Sequence, residues 1–228
     1  MRVDQSLLRR RVPVPTNQTD SEPLITIVDD DESVRTALSE LLESAGFKAT
    51  CFASTRELLD ASVLDWPGCL ILDVRMPGAS GLELQNQLAR NGNPKPIIFL
   101  TGHGDIPMTV QAMKAGAVDF LTKPVRDQTL LDAVTAAIAL DTARRAEAIV
   151  VEVNSERVKT LTQREHQVLG EVVKGRLNKQ VAFDLGISEV TVKLHRSNGL
   201  RKMKTATIGE LIRAWVTLPE TLREARKT

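Results

Sequence analysis

From Leu24 onward the chain alternates short apolar runs with segments whose apolar residues recur at helical spacing. Leu24-Val28, Ala49-Phe52, Cys69-Leu72, Ile97-Leu100 and Val118-Leu121 read as five short strands. Between them, positions such as Val34, Leu38, Leu41 and Leu42 mark amphipathic helices. Strands that are apolar throughout belong to a sheet covered on both faces. Their alternation with helices predicts a doubly wound α/β fold with a five-stranded parallel sheet and right-handed crossovers. Ligands of such sheets bind beyond the carboxyl ends of the strands.

A last helix is expected from about Asp127 to Leu140, followed by a charged, partly helical linker over 141–159. Residues 160–228 carry no strand signal and predict a small all-α domain. Its three or four short helices are separated by Gly175, Gly186 and the stretch 204–207. At the other end, residues 1–22 hold Arg9, Arg10 and Arg11, then Pro13 and Pro15, without periodicity. That pattern reads as a disordered tail, with a basic arm touching DNA as the alternative. The expected organisation is therefore tail 1–22, α/β domain 23–140, linker 141–159 and helical domain 160–228.

The 228 residues are 42% apolar, enough for two small cores. No apolar run reaches the length of a membrane span, and no signal-peptide pattern opens the chain, so a cytoplasmic protein without membrane contact is expected. Cys51 and Cys69 lie in strand-like stretches and are expected to be buried thiols rather than a disulfide or metal site. A net charge of +1 conceals a division along the chain. Residues 1–154 hold 15 Lys/Arg and 21 Asp/Glu, whereas residues 155–228 hold 15 and 8. Only the second part is basic, which points to a nucleic-acid partner there.

The acidic part concentrates its chemistry at strand ends. Asp29, Asp30 and Asp31 follow the first strand, Asp73 closes the third, Thr101 ends the fourth and Lys123 follows the fifth. Clustered carboxylates repel one another unless a cation joins them, and a magnesium-sized ion prefers carboxylate and carbonyl oxygens with water. A carboxylate nucleophile, a metal, a hydroxyl and an ammonium together suit phosphoryl transfer. Asp73 stands alone at its strand end and is the best nucleophile candidate, while adjacent Asp29 and Asp30 are better placed to hold the ion.

The segments I-V-D-D-D at 27–31, L-D-V-R-M-P-G at 72–78, L-T-G-H-G-D at 100–105 and D-F-L-T-K-P at 119–124 resemble bacterial receiver domains, a flavodoxin-like fold, across 23–140. G-H-G-D at 102–105 and M-K-A-G-A-V-D-F at 113–120 are similar to FixJ-type receivers in particular. The resemblance implies that Asp73 accepts a phosphoryl group from a sensor histidine kinase. It assigns Mg²⁺, or Mn²⁺, to Asp29, Asp30, Asp73 and the backbone carbonyl of Arg75. Thr101 and Lys123 would contact the phosphoryl group and Phe120 would be the aromatic switch. It further implies dimerisation on phosphorylation, through the face formed by the fourth helix, fifth strand and fifth helix. His103, two residues past Thr101, is expected to be a loop histidine; the alternative is that, with Arg75, it tunes the lifetime of the aspartyl phosphate.

In the basic part, Thr162 and Glu165 form a capping-box pattern, and Val168, Leu169, Val172 and Val173 give the helix after it a buried stripe. Asn178-Leu185 ends at Gly186, and Ser188 caps a third helix that runs to about Met203. Two helices joined by a glycine-containing turn make a helix-turn-helix. Lys193, Arg196, Arg201 and Lys202 on the third helix suit a major groove flanked by phosphates, while Val192, Leu200 and Met203 supply apolar contacts. L-T-x-R-E at 161–165, N-K-Q-V-A at 178–182 and L-G-I-S-x-x-T-V-K-x-H-R at 185–196 resemble LuxR-type DNA-binding domains over about 160–217. By position, the resemblance assigns base edges to Lys193, Leu194 and Ser197, and phosphates to Asn178, Lys179, Thr191 and Arg201. Gly199 departs from it, standing where that family has a branched apolar residue, so a bent or shortened recognition helix is expected.

The combined expectation is a two-component response regulator of the FixJ/NarL type. It would be no turnover enzyme but a phosphorylation-dependent transcriptional regulator, by family expectation an activator. Its partners would be promoter DNA, a second copy of itself and RNA polymerase. Two other readings compete. Asp29-x-Asp31 superficially matches haloacid-dehalogenase-like phosphatases, and the basic domain could bind a protein instead of DNA.

Overall fold

The computed structural model describes residues 22–102 and 106–224. The tail expected at 1–22 lies, except for Glu22, outside the described residues, as does His103. The chain divides into two compact units, Met1–Arg144 and Arg145–Thr228.

The first unit runs β1 (Leu24–Val28), α1 (Glu32–Ser44), β2 (Lys48–Phe52), α2 (Thr55–Asp60), β3 (Gly68–Leu72), α3 (Gly81–Arg90), β4 (Ile97–Thr101), α4 (Ile106–Lys114), β5 (Asp119–Thr122) and into α5 (Asp127–Lys159). The strands form one sheet in the order β2-β1-β3-β4-β5, and every pairing is parallel. Alternation along each strand divides the core in two. Ile25, Ile27, Ile71, Ile98 and Leu100 pack against Leu38 and Leu42 of α1 and Leu130 and Val134 of α5. Val28, Leu70, Leu72 and Phe99 pack on the opposite face with Leu84 and Leu88 of α3 and Ala112 of α4. Burying one such large side chain is worth about 1.5–3 kcal/mol. The order reverses between β1 and β3, and a crevice opens at the carboxyl ends of strands at such a point. Asp29 and Asp73 leave β1 and β3 there.

Of the two cysteines, Cys69 is buried, and burial pushes its thiol up to about 12. Cys51 departs from expectation and is exposed. It lies on edge strand β2, where only one neighbouring strand covers it, with Sγ 3.7 Å from the carbonyl of Arg35.

The stretch 141–159, expected as a partly helical linker, is helical throughout as part of α5. It contains no glycine or proline to interrupt it. Asp141 is 2% exposed and accepts a hydrogen bond from the Gly68 amide at 2.8 Å within the first unit. At the other end, Val158 belongs to the core of the second unit.

The second unit continues with α6 (Gln163–Val173), α7 (Asn178–Leu185), α8 (Glu189–Lys202), α9 (Ile208–Val216) and the single turn α10 (Glu220–Arg223). Its core joins Val158, Val168, Leu169, Val172, Val181, Val192, Met203, Leu211 and Trp215. The capping box is formed: Thr162 Oγ1 accepts from the Glu165 amide at 3.3 Å, and Glu165 Oε2 accepts from the Thr162 amide at 2.8 Å. Glu165 is also bonded by Lys202 Nζ at 2.6 Å. Burial alone would raise its pKa, but the bonds from Lys202 and Thr162 outweigh it and hold the carboxyl below the ordinary glutamate value. The stabilisation is therefore present above the unfolded pKa and is lost as pH falls through the lower folded value. Glu165→Gln is expected to lower the melting temperature at neutral pH and to flatten its decline on the acid side, as read in a pH series of melts.

Gly199 does not shorten α8, which runs without interruption to Lys202. It is buried, and a Cβ there would meet Leu169 Cδ1 at 2.8 Å and Cγ at 2.9 Å. Leu169 of α6 thus fills the volume that a side chain on α8 would take. Gly199→Ala gains up to about 1 kcal/mol of helix propensity but overpacks the core by about 1–3 kcal/mol. A net loss of stability is expected, relieved when Leu169 is shortened to alanine in the same chain, which a double-mutant cycle of denaturant melts would measure.

Candidate functional site

The three aspartates after β1 take different roles. Asp29 is 2% exposed, its amide donates to the Phe52 carbonyl at 3.2 Å, and its Oδ1 accepts from the Asp31 amide at 3.1 Å. Asp30 is exposed. Asp31 turns away to cap α1, its Oδ1 accepting from the Ser33 amide at 2.8 Å. The D-x-D arrangement of a phosphatase therefore loses its second carboxylate to a helix cap. Across the crevice, the Asp73 amide donates to the Val28 carbonyl at 2.9 Å, and Asp73 Oδ1 accepts from the Arg75 amide at 3.2 Å. Asp29, Asp30 and Asp73 each bring one carboxylate oxygen within 4.8 Å of the others.

Lys123, just past β5, joins two of these carboxylates. Its Nζ donates to Asp29 Oδ2 at 2.5 Å and to Asp73 Oδ2 at 3.1 Å, and its amide donates to the Thr101 carbonyl at 2.9 Å. Burial holds the Asp29 carboxyl above the ordinary aspartate value despite the bond from Lys123. Burial also works against the charge of Lys123, but its bonds to Asp29 and Asp73 outweigh it and its pKa is raised. Asp29, Asp30 and Asp73 thus share one pocket with the Lys123 ammonium. The clustered oxygen donors fit a hard divalent cation, and the pocket is consistent with divalent metal binding. Thr101 is buried at the end of β4. Phe120 is half-buried, its ring centroid 5.9 Å from that of Phe99 and tilted by 41°. The side chain of Arg75 is exposed.

Two residues that support this pocket were not singled out from the sequence. Arg35 of α1 donates to the carbonyls of Asp29 at 2.7 Å and Asp30 at 3.0 Å, bracing the β1-α1 turn. Gly81 opens α3 against the backbone of Asp73, where a Cβ would sit 2.3 Å from the Asp73 carbonyl oxygen. Both act on backbone atoms, which leave no side-chain pattern in a sequence; the only signal was a second glycine three residues after Gly78.

In the second unit, α8 presents Lys193, Leu194, Ser197 and Arg201 to solvent along one stripe. Lys179 of α7 is exposed, and Asn178 and Thr191 are half-exposed. The basic face is narrower than expected. Lys202 turns inward to Glu165, and Arg196 donates to Asn178 Oδ1 at 3.2 Å. Ser188 caps α8, its Oγ accepting from the Thr191 amide at 3.1 Å.

A parallel α/β unit with an acidic crevice, followed by a helix-turn-helix unit, defines a receiver joined to a DNA-binding domain. Residues 25–135 match the response regulator receiver domain, and residues 159–215 match the luxR family of bacterial regulatory proteins. The chain belongs to the response regulators that carry a LuxR-type DNA-binding domain, a family of transcriptional regulators rather than of turnover enzymes. It is 47% identical to nodulation protein W of Bradyrhizobium diazoefficiens, with 88% of each chain covered. It is 44% identical to the transcriptional regulatory protein FixJ of Azorhizobium caulinodans, with 83% of this chain and 90% of the relative covered. Among solved structures it is similar to response regulator StyR, at 45% identity and a TM-score of 0.75, with 85% of this chain and 98% of that one covered. A receiver domain implies a histidine kinase partner, and a LuxR-type domain implies DNA binding. Among the described residues no helix is long and apolar enough to cross a membrane.

Proposed function

We propose that Asp73 is the phosphoacceptor of a switch that controls promoter binding in the cytoplasm. The observation that carries this reading is the position of Lys123 Nζ, bonded at once to Asp29 and Asp73. An oxygen of Asp73 bonds to phosphorus as the P–N bond of a phosphohistidine donor breaks, and the leaving imidazole nitrogen keeps the bonding pair and takes a proton. Asp29, Asp30, Asp73 and the carbonyl of Arg75 would hold Mg²⁺ or Mn²⁺. Bound there, the cation would offset charge on the phosphoryl oxygens. Lys123 offers them an ammonium, and Thr101 a hydroxyl, as soon as the phosphate adds its charge of about −1.5 to −2. Phe120 moves with Thr101, and the face of α4, β5 and α5 changes shape.

That face then pairs two copies, so that two DNA-binding units engage two half-sites together and recruit RNA polymerase. Lys193, Leu194 and Ser197 approach base edges, while Asn178, Lys179, Thr191 and Arg201 hold phosphates. Activation is the direction favoured by the family. Incubation with a small acyl phosphate and Mg²⁺, followed by borohydride reduction and peptide mass analysis, tests the phosphoacceptor. Homoserine at position 73 is the expected product. Modification at another residue, or none, would contradict the assignment.

A further inference from the structure

The outward stripe of α8 is not uniformly polar. Val190 is 75% exposed and Leu194 is 58% exposed, on either side of exposed Lys193 and on the same face as Ser197 and Arg201. Scattered exposed apolar residues need no explanation. Here two branched side chains one helical turn apart stand in the middle of the face that its charged neighbours direct toward a polyanion. Val190 contributes nothing to the core, which α8 joins through Val192, Gly199 and Met203. The residue also falls at the start of the helix, the end that reaches base edges in a helix-turn-helix.

We propose that Val190 and Leu194 form a methyl-reading pair whose ligand is the C5-methyl group of thymine in the major groove. Thymine carries the one apolar group that a base pair shows on that edge, and an aliphatic side chain is its natural complement. Cations on the same stripe, with Lys179 on α7, favour DNA as the occupant over a neutral protein surface. Val190 and Leu194 are separated along α8 by about 6 Å, and successive bases by about 3.4 Å. The two methyl groups are therefore expected about two base steps apart in each half-site. Val190 becomes a specificity-determining residue in addition to Lys193, Leu194 and Ser197. This inference rests on the DNA-binding reading of the second unit.

The test begins with duplexes selected from a random pool by the full-length chain in beryllofluoride and Mg²⁺. Each thymine of the enriched site is then replaced by deoxyuridine, which keeps the pairing and removes only the methyl. One such replacement in each half-site is expected to weaken binding by the native dimer about 15-fold, about fourfold for each of the two buried methyl groups. The same replacement should leave the affinity of Val190→Ala unchanged, and a second position should behave likewise with Leu194→Ala. Deoxyuridine effects of equal size in native and Val190→Ala chains would overturn the proposal while leaving DNA binding intact. Failure to enrich any duplex would overturn the DNA-binding reading and this inference with it.

Discussion

Lys123→Ala is expected to slow phosphoryl transfer to Asp73 by on the order of 10²-fold, the loss typical of removing one charge-stabilising donor from a transition state. The ammonium is already bonded to Asp29 and to Asp73, the proposed phosphoacceptor. Its removal also leaves a buried carboxylate, Asp29, without its cation. Initial rates of acyl-phosphate formation from a small donor would measure the effect. Melting curves taken alongside would distinguish it from unfolding. Arginine at this position keeps the charge but replaces a compact ammonium with a planar fork, and only part of the rate is expected to return.

Gly81→Ala is expected to damage the pocket from behind. The new Cβ would lie 2.3 Å from the Asp73 carbonyl oxygen, 3.0 Å from Leu72 Cγ and 3.1 Å from Phe99 Cε1. A backbone carbonyl cannot swing aside as a flexible side chain does. Either the start of α3 retreats or Asp73, the proposed nucleophile, moves. Overpacking of this kind lowers stability by about 1–3 kcal/mol. Phosphorylation should fall further than the loss of stability accounts for, because a misplacement of about 1 Å at a reacting group can lower a rate 10²-fold. Gly102→Ala is the control: it lies next to Thr101, yet among the described residues a Cβ there meets nothing within 4 Å. Equal phosphorylation rates in the Gly81→Ala and native chains would show that the close approach has no functional weight.

Much of this architecture is legible in the sequence because burial leaves a periodic trace. Strands apolar on both faces predicted β1 through β5 to within about a residue at each end, and cap residues such as Thr162 and Ser188 marked where α6 and α8 begin. What was not legible depends on direction in space. Three consecutive aspartates look alike until the end of β1 buries Asp29, exposes Asp30 and gives Asp31 to a helix cap. Lys202 and Arg201 are neighbours in sequence, but a helix turns about 100° between them, so one faces solvent and the other Glu165. The tolerance of α8 for Gly199 depends on Leu169, thirty residues away in the chain, and no local pattern announces that contact. The continuation of α5 through 141–159 is hard to read from the sequence because its charged residues resemble those of a linker, while Asp141 and Val158 are buried near its two ends.

The central claim is that chemistry at Asp73 controls DNA binding by the second unit. It is tested most directly by the affinity of the full chain for a selected duplex with and without beryllofluoride and Mg²⁺, in the native protein and in Asp73→Asn. The native chain is expected to bind at least tenfold more tightly in beryllofluoride, as two linked DNA-binding units would, and Asp73→Asn is expected not to respond. An equal response in both chains, or none in the native one, would contradict the account.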